Sequence, residues 1–169
     1  MEGNLSITSE DDVRIDADIT TTGSSTITIT ADTDMDGTGN LDIAQTTAAA
    51  TISSDTGDIL LEGEDINLGS VGFAGVVRST GNGDIQITAD KQNNDLNGSF
   101  IIAGTGSEVN SGGAISVTNA YAVTIGGSGM TSEDNISVLA VDTDITVNAP
   151  VNSTMAGNIT MTAASDIFL

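Results

Sequence analysis

Cysteine and histidine are both absent from this 169-residue chain, which excludes disulfides, thiolate metal sites and the commonest transition-metal ligand. Any metal it holds must be a hard ion with oxygen ligands, such as calcium. Basic residues are nearly absent. Three of them (Arg14, Arg78, Lys91) against 24 acidic residues give a formal net charge of -21. That balance excludes an electrostatic grip on nucleic acid or on an anionic membrane surface. No run reaches the about 18 apolar residues of a membrane-spanning helix, and no basic, apolar-cored leader opens the chain. Membrane insertion is therefore not expected. Aromatic residues make up 2% of the chain, so a core must be built from aliphatic side chains.

What is present suits strands and turns. Ile, Val, Leu and Ala supply most of a 38% hydrophobic share, and Thr, Ser, Asn, Asp and Gly recur between them. One unit returns seven times: GNLSITS at Gly3, STITITA at Ser25, GDILLEG at Gly57, GDIQITA at Gly83, GAISVTN at Gly113, DNISVLA at Asp134 and GNITMTA at Gly157. Successive copies are 21 to 32 residues apart, with a basic period near 22 and insertions in some copies. A period in this range is the signature of a solenoid.

Side chains alternate within each copy, as in a half-buried strand. Leu5 and Ile7, Ile27 and Ile29, and Ile85 and Ile87 exemplify an inward apolar row, and Thr28, Thr30, Thr88 and Thr118 an outward hydroxyl row. A second strand follows at DVRI, DINL, AVTI, DITV and DIFL, beginning at Asp12, Asp65, Ala122, Asp144 and Asp166. Small residues between the two strands mark a corner: Ser9, Ala31, Gly63, Ala89, Asn119, Ala140 and Ala163. Ile19, Met130 and Val151 suggest a third, shorter side. The expected fold is all-β: a β-solenoid of about seven roughly triangular coils, forming a single domain over residues 1–169. At one strand spacing per coil the rod would be about 34 Å long. The opening MEGNLSIT already reads as the interior of the pattern, so the chain is expected to be a segment of a longer protein or a unit of a fibre.

The second coil carries ADTDMDGTGNL at residues 31–41, inserted at the first corner. Asp32, Asp34, Asp36 and Gly37 occupy positions one, three, five and six of a calcium loop. Position twelve is Ile43 in place of a bidentate Glu, and strands replace the flanking helices. Asp32, Asp34, Asp36, Thr38, Asn40 and Asp42 form the candidate ligand set, with calcium the expected ion. A second insertion, ADKQNNDLNGS from Ala89, places Asp90 to Asn97 at the same corner two coils later. Other acidic pairs, such as Asp11 with Asp12 and Glu64 with Asp65, read as solvated corners.

The units GDIQITA and GNITMTA, with the ITADTDMDGTGNL insertion, resemble the repeats of filamentous-haemagglutinin-like proteins from Gly3 to Leu169. These are large secreted bacterial adhesins and exoproteins whose shafts are β-solenoids. The resemblance implies an extracellular or cell-surface location and a role as shaft, adhesin or matrix component. The chain lacks that family's amino-terminal secretion domain and a recognisable end cap. The expected partners are neighbouring coils, copies of the chain end to end, and cell-surface or matrix ligands. A module binding ice or another ligand through the outward Thr row is the alternative. A polysaccharide-active enzyme is disfavoured, because the three basic residues are scattered and Tyr121 is the only tyrosine. Phe73, Phe100 and Phe168 are expected to point inward.

Overall fold

The computed structural model describes residues 3–34, 36–90 and 97–169. Each coil contributes three strands in turn. The first holds β1 (Leu5–Thr8), β2 (Val13–Ile15) and β3 (Ile19–Thr20), and the second β4 (Ile27–Thr30), β5 (Leu41–Ile43) and β6 (Ala50–Ser54). The third holds β7 (Ile59–Glu62), β8 (Ile66–Leu68) and β9 (Gly75–Ser79), and the fourth β10 (Ile85–Thr88), β11 (Ser99–Ile102) and β12 (Glu108–Ser111). The fifth holds β13 (Ile115–Ala120), β14 (Ala122–Ile125) and β15 (Gly129–Ser132), and the sixth β16 (Ile136–Ala140), β17 (Ile145–Val147) and β18 (Val151–Ser153). Strands β19 (Ile159–Ala163) and β20 (Ile167–Phe168) follow as two sides of a seventh.

Equivalent strands pair in parallel, giving two seven-stranded sheets and one six-stranded sheet around a common interior. Parallel strands need a long crossover, and here the remainder of each coil provides it. Register follows the apolar pattern. Ile85 lies between Ile59 and Ile115, and Ile87 between Leu61 and Val117, each without solvent exposure. The second sheet stacks Leu41, Ile66, Phe100, Val123 and Ile145. The third stacks Ile19, Ile52, Val77, Val109, Met130 and Val151. These columns form one continuous hydrophobic core. A one-residue slip would turn a strand's apolar residues to solvent, so burial itself fixes the register.

The corners correct several sequence expectations. Ala120, not Asn119, pairs with Ala140 in the corner column, because Asn119 is an extra bulged residue at φ 60°. Only Phe100 is fully inward. Phe73 is half-buried against the core, and Phe168 faces outward opposite Thr146 at 52% exposure.

The corner that closes each of the first five coils is built from hydroxyls facing inward. Thr21, Ser54, Ser79, Ser111 and Ser132 are buried. Their Oγ atoms donate to the carbonyls of Ser25 (3.2 Å from Thr21 and 3.0 Å from Ser54), Gly57 (3.3 Å), Gly83 (2.8 Å) and Gly113 (2.6 Å). These bonds satisfy carbonyls at the turn that the sheets cannot reach. A Cβ at Gly83 would lie 2.2 Å from the Gly57 carbonyl oxygen. Gly83→Val should therefore force two coils apart and cost about 1–3 kcal/mol, read as a lowered midpoint in thermal or urea unfolding.

Candidate functional site

The candidate site grows out of the corner between the first and second sheets. Ala31 follows β4 in the small-residue column, and Asp32 then turns the chain outward at φ 53°. Aspartate is among the few residues that tolerate this left-handed conformation. The insertion is tied to the coil below, with the Asp32 amide donating to the Asp11 carbonyl at 3.3 Å and that of Thr33 to Ser9 at 3.0 Å. It re-enters through Gly39, where a Cβ would lie 2.3 Å from the Asp32 nitrogen.

Inside the loop, fully buried Asp32 accepts the Asp36 amide on Oδ1 at 3.0 Å. Asp36 Oδ1 accepts the Thr38 amide at 3.1 Å and its hydroxyl at 2.6 Å. One carboxylate oxygen from each of Asp32, Asp34 and Asp36 lies within 4.8 Å of the others. Partial desolvation, then the charges of Asp36 and Asp32, push the Asp34 carboxyl above its ordinary value. Asp34 is exposed, so the neighbouring charges are the component that a bound cation would relieve. Three convergent carboxylates are a donor set suited to a hard divalent ion.

Asn40 and Asp42 of the wider set bond to neighbouring coils. The Asn40 amide donates to Asp12 Oδ1 at 2.9 Å, and Asn40 Oδ1 accepts the Asp65 amide at 3.3 Å, so Asn40 links three coils. Asp42 lies opposite Arg14 and Asn67 in the second sheet and accepts the Asn67 amide group at 3.0 Å. Thr38 stays attached to the cluster through Asp36. Ile43, at the twelfth position of the loop pattern, is wholly buried in β5.

Compared with protein families, curated proteins and solved structures, the chain matches none.

The solenoid architecture accordingly rests on the strands themselves. Among the described residues no helix is long and apolar enough to cross a membrane.

Residue-level reading of the sequence missed one feature of this corner. Glu64 and Asp90 follow the corner residues Gly63 and Ala89, as Asp32 follows Ala31, and all three are buried on successive coils. Glu64 is thus not a solvated corner, and its partner in that expectation, Asp65, is half-buried and accepts the Ser99 amide at 2.7 Å. Aligning the residue after each corner would have exposed the column, since Glu10, Asp32, Glu64 and Asp90 are all acidic. Asp90 sits at φ 49° with its amide on the Glu64 carbonyl at 2.9 Å. Residues 91–96 of the second insertion, Lys91 included, lie outside the described residues.

Proposed function

We propose that the chain is a structural rod segment of an extracellular or cell-surface protein, a shaft or fibre unit whose first-corner carboxylates take calcium. The observation that carries this reading is the uninterrupted three-sheet stack, with a single hydrophobic core along its length. Regular backbone pairing from coil to coil resists bending. At the last coil, Ile159, Ile167, Phe168 and Leu169 are 44%, 41%, 52% and 94% exposed beside unpaired strand edges. Such an edge accepts a further parallel coil, from the same chain or from a second copy.

The reading is non-catalytic. Arg14 and Arg78 lie in different sheets, each occupied by a carboxylate: Asp16 at 2.6 Å and Glu108 at 2.9 Å. The outward face of the first sheet is rich in hydroxyls, with Thr88 and Thr118 3.3 Å apart. Leu60, Glu62, Gln86 and Leu139 interrupt it, and Thr30 is buried and bonded to Glu62 at 3.0 Å. A flat array for ice is therefore the weaker reading.

End-to-end assembly tests the fibre form. Light scattering and negative-stain microscopy at rising concentration should show linear rods, and Ile159→Asp with Ile167→Asp should hold the chain as single units. Assemblies that persist in the double variant would place the contact elsewhere.

A further inference from the structure

Given the rod reading above, on which this rests, we propose that copies of the chain stack head to tail in one register, with Phe168 of one copy against Arg14 of the next. In this joint Ile159, Thr160 and Met161 lie on Leu5, Ser6 and Ile7 of the second copy. Ile167, Phe168 and Leu169 lie on its Val13, Arg14 and Ile15. The alignment is the one that each coil already makes with its neighbour: Ile136 and Ser137 pair with Ile159 and Thr160, and Leu5 and Ser6 with Ile27 and Thr28. The third sheet ends one coil earlier, at β18, so the first two sheets make the joint.

Two residues that the repeat does not supply meet there. In the outward column of the second sheet Arg14 is the only cation and stands on the first coil, and Phe168 is the only aromatic and stands on the last. Within one chain they occupy opposite ends of the column. Across the joint they become cross-strand neighbours about 4.8 Å apart, within reach of a guanidinium lying over a ring face. Arg14 donates through Nε to Asp16 at 2.6 Å, an edge contact that leaves the face of the planar guanidinium for the ring. Leu169, at 94% exposure, extends the inward row beyond Ile167 and is covered by Ile15.

Polarity comes from the side-chain ladders at the strand starts. Asn4 Oδ1 accepts the Thr26 amide at 3.0 Å and Asn135 Oδ1 the Asn158 amide at 2.9 Å. Asp12 Oδ1 accepts the Asn40 amide at 2.9 Å and Asp144 Oδ1 the Asp166 amide at 3.0 Å. In each pair the oxygen belongs to the earlier coil and the amide to the later one. Asn158 and Asp166 on the last coil therefore present their oxygens to the Asn4 and Asp12 amides of a second copy. The ladder is directional, and only a head-to-tail stack continues it.

Because the chain has no cysteine, introduced thiols report the register directly. Ser6→Cys with Thr160→Cys places one thiol at each end, both on exposed outward positions where the fold should be kept. Six strand spacings, about 29 Å, separate them within a chain, so any disulfide between them joins two chains. Mild oxidation in about 0.5 M salt, which screens the repulsion between chains of charge -21, should give a ladder of oligomers on a non-reducing gel. Ser6→Cys with Thr162→Cys should give no ladder, because one step along the outward face sets the Cα atoms about 8 Å apart. Adding Phe168→Lys to the aligned pair should lower the oligomer yield several-fold, and adding Arg14→Glu as well should restore it. Rods under the microscope without a ladder from the aligned pair overturn this register and leave the fibre reading standing. Neither rods nor ladder overturns both. A ladder from the shifted pair overturns the alignment, and one indifferent to Phe168→Lys overturns the Arg14 contact.

Discussion

Ile87→Asp should abolish the cooperative thermal transition of the chain. Ile87 has no solvent exposure and stacks between Leu61 and Val117 in the middle of the first sheet. Truncating such a side chain alone costs about 2–5 kcal/mol. A carboxylate there must also be desolvated among aliphatic groups or be protonated, and either adds to the loss. A domain's whole stability is about 5–15 kcal/mol, so the variant should be largely unfolded at room temperature. Gln86→Asp is the matched control, because Gln86 is the adjacent residue on the outward face and is exposed. Circular dichroism melts of the two variants check the assignment of faces. An intact transition in Ile87→Asp would mean that the inward row has been misassigned.

The contrast between Gln86 and Ile87 explains how much of the fold was legible in the sequence. Burial on one side of a strand imposes a period of two, and in the first two sheets nearly every strand is long enough to show it. The third sheet was mostly hidden. Many of its strands turn a single bulky apolar residue inward, such as Ile52, Val77 and Val109, and insertions of variable length blur their spacing. The closing corner was hidden for a different reason. Ser54, Ser79, Ser111 and Ser132 look in sequence like the outward hydroxyl row, and only the path of the backbone reveals that they bond buried carbonyls. At the candidate site, the alternation of Asp32, Asp34 and Asp36 was enough to bring them together, since a short loop leaves them few other places. Asn40, just before β5, and Asp42, within it, are bonded to neighbouring coils, which their place in the loop pattern does not reveal.

Calcium should raise the unfolding temperature of the parent chain. The triple variant Asp32→Asn, Asp34→Asn, Asp36→Asn should lose that response. Asparagine keeps an acceptor oxygen for the Asp36 and Thr38 amides and tolerates the left-handed backbone at residue 32, so the variant removes charge with little change of shape. A hundredfold excess of calcium over its dissociation constant would stabilise the folded state by about 2.7 kcal/mol. Asp42→Ala should leave the response intact, because Asp42 is turned to Asn67 and lies outside the cluster. The pH dependence has a definite sign. The Asp34 carboxyl titrates above its ordinary value, so the folded chain binds a proton there more readily than the unfolded one. Without calcium, that carboxylate opposes folding once ionised, and lowering the pH through its raised range relieves the opposition. With calcium the same proton competes with the ion. The calcium-dependent rise should therefore be largest near neutrality and shrink as the pH falls into the carboxylate range. A rise unchanged by pH or by the triple variant would place calcium at other carboxylates, and no rise at all would leave this corner a solvated turn on a metal-free rod.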